Sequence, residues 1–186
     1  MDGDRERWNA KWRERAGELE SPAAFVVEHA DLVPARGRAL DLAGGAGRHA
    51  IWLARCGLAV TLCDISRAAL DIARRAAGDL AIRTIELDLD QADPPAGPWD
   101  VILCFHYLNR GLIERMPDLV APNGHVFLCH PTRRNLERHE HPSSRFLVAE
   151  GELRGLLQGL TIVSYEESWG EEGRHEARAI ARRIGA

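Results

Sequence analysis

Three features of the chain predict an α/β fold, a mostly parallel sheet with helices on both faces. From about Arg38 onward, short apolar runs suited to strands alternate with amphipathic stretches suited to helices. A run of small residues at 43–47 falls at the first strand-to-helix junction, where open α/β sheets bind ligands. Near the end, Gly170-Glu171-Glu172-Gly173 turns one strand directly into the next, a tight connection that joins antiparallel neighbours. The expectation is a seven-stranded sheet with one reversed strand near an edge.

The elements follow in order. Two helical pieces come first: one carries Trp8 and Trp12 a turn apart and runs up to Gly17, and the other takes Ser21 as N-cap and Pro22 in its first turn. That second piece continues through Phe25, Val26 and His29 towards Pro34. Residues 39–43 form the first strand. A helix then starts near Arg48, includes 51–56 and closes at Gly57. Residues 58–63 are the second strand. Ser66 caps a helix with apolar positions at Ala69, Leu70, Ala73 and Ala77, ended by Gly78. The third strand spans 81–89, and the Pro- and Gly-rich stretch 93–98 is a loop.

Residues 99–105 are almost wholly apolar, the pattern of a strand covered on both faces. A helix is expected over about 108–120, with Pro117 near its end. Pro122-Asn123-Gly124 reads as a turn and 125–130 as the fifth strand. Leu153, Leu156 and Leu157 mark a helix, and 160–165 and 175–182 are the last two strands.

Length and composition bound the function. At 186 residues the chain suits one domain over 1–186: a helical cap at 1–35, and an α/β core at 36–186 with a basic loop at about 131–148. A formal net charge of −4 argues against a broad grip on nucleic acid. No apolar run approaches the roughly 20 residues of a membrane helix, and the charged start does not resemble a secretory signal, so a cytoplasmic protein without membrane contact is expected. Cys56, Cys63, Cys104 and Cys129 are widely spaced without a CxxC pair, so neither disulfides nor a metal site is expected.

The junction at 41–49 carries the most information. Small residues at Ala43, Gly44, Gly45, Ala46 and Gly47 let the backbone approach a ligand, and the helix behind them presents free N–H groups and a positive dipole end. Asp64 ends the second strand, where a carboxylate can accept hydrogen bonds from both hydroxyls of a ribose. The ligand is therefore read as a nucleoside. Gly45-Ala46-Gly47-Arg48-His49-Ala50 formally fits a dinucleotide pattern, which leaves a nicotinamide-dependent oxidoreductase as the alternative. Asp41, just ahead of the loop, would oppose a pyrophosphate and attract an ammonium, which favours S-adenosylmethionine.

Asp41-x-Ala43-x-Gly45-x-Gly47, with Asp64 after the second strand, resembles the cofactor signature of class I S-adenosylmethionine-dependent methyltransferases. Trp99-Asp100-Val101-Ile102, Pro122-Asn123-Gly124-His125-Val126 and the reversed last strand resemble later elements of that family. The resemblance implies a Rossmann-like three-layer sandwich. It also implies a cofactor site of Asp41, Ala43, Gly44, Gly45, Gly47, Asp64, Ile65, Asp88, Leu89, Phe105 and His106, with Asp88-Leu89 towards the adenine.

Arg7-Trp8-Asn9-Ala10-Lys11-Trp12 and the Gly47-Arg48-His49-Ala50 junction resemble the small tellurite-resistance-type subfamily, in which the N-terminal helix folds over the cofactor, so Trp8 and Trp12 join the site. Two positions depart from the pattern. Ala43 replaces the first loop glycine and is compatible if its dihedrals stay in the ordinary region; His49 stands where a smaller polar residue is expected.

Methyl transfer from a sulfonium is an in-line displacement in which proximity and orientation supply much of the acceleration. His106 and Tyr107, at the end of the fourth strand, are the candidate catalytic groups, with His130 a weaker one. Arg133, Arg134, Arg138, His139, His141 and Arg145 form a basic segment. It is read either as a solvated loop or as a lid whose Arg133 and Arg134 bind an anionic acceptor. The expected acceptor is a small molecule: a thiol, a chalcogen oxyanion, or a small carboxylate or hydroxyl compound. A non-catalytic protein that binds S-adenosylmethionine is the further alternative. A monomer is the default state, with a dimer compatible.

Overall fold

The computed structural model describes residues 2–15, 19–170 and 173–185. Its centre is one seven-stranded sheet: β1 (Gly37–Leu42), β2 (Leu58–Asp64), β3 (Ile82–Glu86), β4 (Trp99–Phe105), β5 (Val120–Pro131), β6 (Thr161–Trp169) and β7 (His175–Arg182), in the order β3-β2-β1-β4-β5-β7-β6. Neighbours from β3 to β5 are parallel, whereas β7 runs antiparallel to both β5 and β6. The expected mostly parallel sheet with one reversed strand near the edge is what forms.

Burial on two faces explains the near-continuous apolar strands. One face gathers Leu40, Leu42, Ile102, Cys104, Val126 and Leu128 under Leu112, Ile113, Met116, Leu153 and Leu157. The other packs Ala39, Val60, Leu62, Val101, Leu103 and Phe127 against Phe25, Val26, Ala50, Leu53, Leu70 and Ala73. The covering helices are α1 (Asp2–Glu14), α2 (Ala24–Glu28), α3 (Arg48–Arg55), α4 (Arg67–Ala77), α5 (Arg110–Glu114), α6 (Met116–Leu119) and α7 (Glu152–Leu156). The Ser66 hydroxyl accepts from the amide of Ala69 at 3.2 Å, so α4 starts on the expected cap.

Several boundaries differ from expectation, each for a local reason. β3 stops at Glu86 because Asp88 folds back, its carboxylate accepting from the amide of Asp90 at 3.0 Å. The helix expected over 108–120 is two short helices broken at Arg115, and Pro117 sits in the first turn of the second, where no N–H is needed. Pro122-Asn123-Gly124 is an irregularity inside β5 instead of a free turn, with Asn123 at φ 65°. α2 starts without help from Ser21 or Pro22: Ala23 is its N-cap, and it passes into a 3-10 turn over Ala30–Leu32. The helix end expected at Gly17 and the turn residues Glu171 and Glu172 lie outside the described residues. Among the described residues no helix is long and apolar enough to cross a membrane.

Candidate active site

The glycine loop joins β1 to α3 across the carboxyl end of β2. Gly45 and Gly47 adopt φ of 57° and 81°, the left-handed region that glycine enters without steric cost. Gly44 is required for a different reason. A β-carbon there would come within 2.5 Å of both Asp41 Oδ2 and Leu62 Cδ1. Ala43 also sits at φ 51°, so the ordinary dihedrals expected for it are not what the loop imposes. The tight reversal through 43–47 needs that backbone whichever residue occupies it.

Both carboxylates beside the loop are buried. Asp64 is 7% exposed and accepts from the amides of Gly45 and Ser66, each at 2.8 Å. Burial raises its pKa, outweighing the amide bonds that lower it. Asp64 therefore fixes the loop as well as facing it. Asp41 lies beneath the loop, 1% exposed, with Oδ2 lacking any hydrogen-bond partner. Burial drives its pKa up to about 7, with the amide of Ala50 pulling down and Asp64 pushing up.

A nucleoside bearing an amino-acid tail suits this loop: three glycines lie between the Asp64 carboxylate, which holds the Gly45 amide, and the first turn of α3, whose start has no side-chain cap. Ile65 follows Asp64. Leu89 is buried, and the side-chain Nδ2 of Asn109 donates to its carbonyl at 3.3 Å.

The N-terminal helix stands over this loop. A β-carbon on Gly45 would lie 2.6 Å from Trp12 Cζ2, so the indole rests on the glycine backbone. Asn9 Oδ1 accepts from the Ser66 hydroxyl at 2.9 Å and from the amide of Ala68 at 3.0 Å, and Arg5 pairs with Glu86 at 3.1 Å. Trp8 is different: it is exposed, with the Lys11 ammonium 4.5 Å from its ring centre. Of the two tryptophans, only Trp12 reaches the loop. His49 is buried, its ring 4.5 Å from that of Phe105 and its Nε2 accepting from the amide of Ala23 at 3.2 Å. Burial holds its pKa down to about 3, so it remains a neutral acceptor tying residue 23 to the core.

The ends of β4, β5 and β7 bring together a second group. His106, at φ 59°, places Nε2 2.8 Å from Glu176 Oε1, and Cys129 Sγ lies 3.3 Å from Glu176 Oε2. Burial would raise Glu176, but bonds from His106 and Cys129 and the charge of Arg178 bring it below its usual value. Tyr107 points elsewhere, its hydroxyl donating to Asp90 at 2.7 Å; burial and that bond raise its pKa, which suits it to hold Asp90 and not to accept a proton. His130 is fully buried, with both ring nitrogens unpartnered.

Sequence reading missed Cys129, Glu176 and Asn9. A signal for Glu176 existed: the reversed last strand starts at the sheet edge where the parallel strands finish, so its first residues reach the site. Cys129 and Asn9 carried none, being one apolar strand position and one polar helix position among many.

The basic segment is more fixed than a solvated loop. Asn135 is buried, donating to the carbonyls of Thr132 and His175, and Leu147 and Val148 are buried beside it. Arg134 pairs with Glu137 at 3.0 Å, while Arg138 stacks on Trp169 with its guanidinium carbon 3.8 Å from the ring centre. Arg133 is exposed.

Comparison with known proteins agrees with this architecture. Residues 39–124 match the family described as a methyltransferase domain. A ubiquinone biosynthesis O-methyltransferase of Vibrio campbellii is 32% identical over 126 residues, which is 62% of this chain and 52% of that protein. The chain thus spans about half the length of the curated relatives it matches. TehB from Haemophilus influenzae superposes with a TM-score of 0.75 at 23% identity, over 87% of this chain and 62% of TehB. Magnesium protoporphyrin IX methyltransferase from Synechocystis, solved with S-adenosylhomocysteine, gives 0.71 at 18% identity, over 96% and 97% of the two chains. Residues 39–124 thus resemble a methyltransferase domain, and the fold is one shared with methyltransferases, among them one solved with S-adenosylhomocysteine.

Proposed function

We propose that the chain transfers the methyl group of S-adenosylmethionine to a small-molecule acceptor that docks at the ends of β4, β5 and β7. The observation that carries this reading is the loop at 43–47, fixed by Asp64 through the amide of Gly45. Bound there, the cofactor supplies an electrophilic methyl on a sulfonium. The chain's own residues orient it: Asp64 faces the ribose, Asp88 and Leu89 border the adenine, and Asp41, whose pKa of about 7 lets it ionise beside an ammonium, lies beneath the amino-acid tail. Trp12 closes the loop from above. Positioning of this kind supplies most of what an in-line displacement needs.

The acceptor side is polar, with His106, Cys129 and Glu176 joined at the ends of β4, β5 and β7 and Arg133 exposed just beyond the end of β5. That lining favours a thiol, an oxyanion or an acidic hydroxyl over an apolar acceptor. The Vibrio relatives bear the name of an O-methyltransferase, so a phenolic hydroxyl belongs in the test with thiols, selenite, tellurite and small carboxylates. The test is S-adenosylhomocysteine release across that panel. At least one acceptor is expected to raise release well above the acceptor-free rate, and substituting Arg133 and Arg134 should raise KM for an anionic acceptor without changing cofactor affinity. Cofactor binding with no turnover on any acceptor would instead describe a non-catalytic binding protein.

A further inference from the structure

His106, Cys129 and Glu176 come from the ends of three different strands, and their donor atoms lie within 4.8 Å of one another. Cys129 Sγ is 3.3 Å from Glu176 Oε2 and 3.7 Å from His106 Nε2, and that nitrogen is 2.8 Å from Glu176 Oε1. Among the described residues it is the one group of three such donors that could hold an ion. We propose that these three residues bind a zinc-class divalent cation, leaving one coordination position open.

Four observations carry it. Imidazole nitrogen, thiolate sulfur and carboxylate oxygen are the donors zinc takes, and three protein ligands with an open fourth position is the arrangement of catalytic rather than structural sites. Zinc bonds of about 2.0–2.3 Å at tetrahedral angles set neighbouring donors roughly 3.3–3.6 Å apart. The sulfur-to-imidazole separation of 3.7 Å lies close to that range, while Glu176 meets the other two through different oxygens and must turn its carboxylate to offer one of them to the ion. The imidazole is aimed by an unusual backbone: His106 is a non-glycine residue at φ 59°, held there by its amide donating to the Cys129 carbonyl at 2.8 Å. Burial is graded as an open site requires, with Cys129 3% exposed at the base and the His106 side chain 33% exposed at the mouth.

Charge is compatible. Thiolate and carboxylate together offer two negative charges, and the Arg178 guanidinium, 3.8 Å from Glu176 Oε2, offsets one of them. Burial keeps the Cys129 thiol protonated in the metal-free protein, so the ion must displace that proton as it binds. An ion with one open position would select acceptors that present anionic sulfur or oxygen. This consequence rests on the methyltransferase reading, whereas the metal site itself does not.

Chelator-stripped protein titrated with Co2+ tests the site. One equivalent should produce a thiolate-to-cobalt absorption band in the near ultraviolet together with the visible bands of a four-coordinate ion, and Zn2+ should abolish both. Cys129→Ser is expected to remove the thiolate band, His106→Asn and Glu176→Gln to weaken binding more than tenfold, and Cys56→Ser to change nothing. Circular dichroism checks that each variant folds. If Cys129→Ser does not fold, X-ray absorption of the zinc-loaded wild type decides by counting one sulfur among nitrogen and oxygen ligands. Absence of a thiolate band, or binding unaffected by Cys129→Ser, would leave only a hydrogen-bonded cluster. Calorimetry with S-adenosylhomocysteine on the same stripped protein reports the cofactor site independently, so either reading can fail alone.

Discussion

Ala43 holds a left-handed backbone between Leu42 and Gly44, a conformation that costs a residue with a β-carbon about 1–2 kcal/mol. Glycine relieves that cost but adds freedom to the unfolded chain, roughly 0.5–1 kcal/mol in the other direction. Ala43→Gly should therefore stabilise the protein by up to about 1 kcal/mol, measured by urea denaturation, with cofactor affinity unchanged or improved. A loss of stability would show that the methyl group makes packing contacts worth more than the strain.

Asp41 gives a second test at this scale. Its folded pKa, about 7, lies above the value near 4 of an unfolded aspartate, so between those pH values the native state holds the extra proton. Stability should fall as pH rises from about 4 to 7, by on the order of 4 kcal/mol from this group. Asp41→Asn should flatten that part of the stability–pH curve, and a slope identical to that of the wild type would contradict the burial argument.

Among elements, α1 is the one held mainly by polar groups. Asn9 accepts from the amide of Ala68 in the first turn of α4 and from the Ser66 hydroxyl, Arg5 pairs with Glu86 and Trp12 covers Gly45. An element fastened this way opens locally before the sheet does. Asn9→Ala with Trp12→Ala should raise amide exchange in α1 by tenfold or more while leaving β1 and β4 as protected as in the wild type. Equal protection in α1 would mean that contacts other than these fasten it.

This is also where sequence reading reached its limit. β4 and β1 were legible because burial on both faces writes a continuous apolar run, and α4 because Ser66 and Gly78 punctuate it. α2 was misplaced because its start depends on His49, a residue 26 positions away, accepting from the amide of Ala23, which no local cap motif announces. The division between α5 and α6 was signalled by Pro117, but the proline falls in a first turn and not at a helix end.

At the scale of the molecule, the order β3-β2-β1-β4-β5-β7-β6 brings the carboxyl ends of five parallel strands to one edge and turns β7 to start there. The loop at 43–47 and Asp64 were readable because both sit at strand ends near each other in sequence. For Glu176 the reversed last strand was the sole signal, because its neighbours His106 and Cys129 lie 70 and 47 residues away and the antiparallel pairing of β5 with β7 unites them. The cofactor end of the cleft is therefore local in sequence and the acceptor end is assembled by topology. The central claim concerns the first of these. Isothermal calorimetry of the whole chain with S-adenosylhomocysteine and with NAD, on wild type and Asp64→Asn, tests it most directly. The expected result is one-to-one binding of S-adenosylhomocysteine, much tighter than NAD and at least tenfold weaker in Asp64→Asn. Tighter binding of NAD, or affinity for S-adenosylhomocysteine indifferent to Asp64, would contradict it.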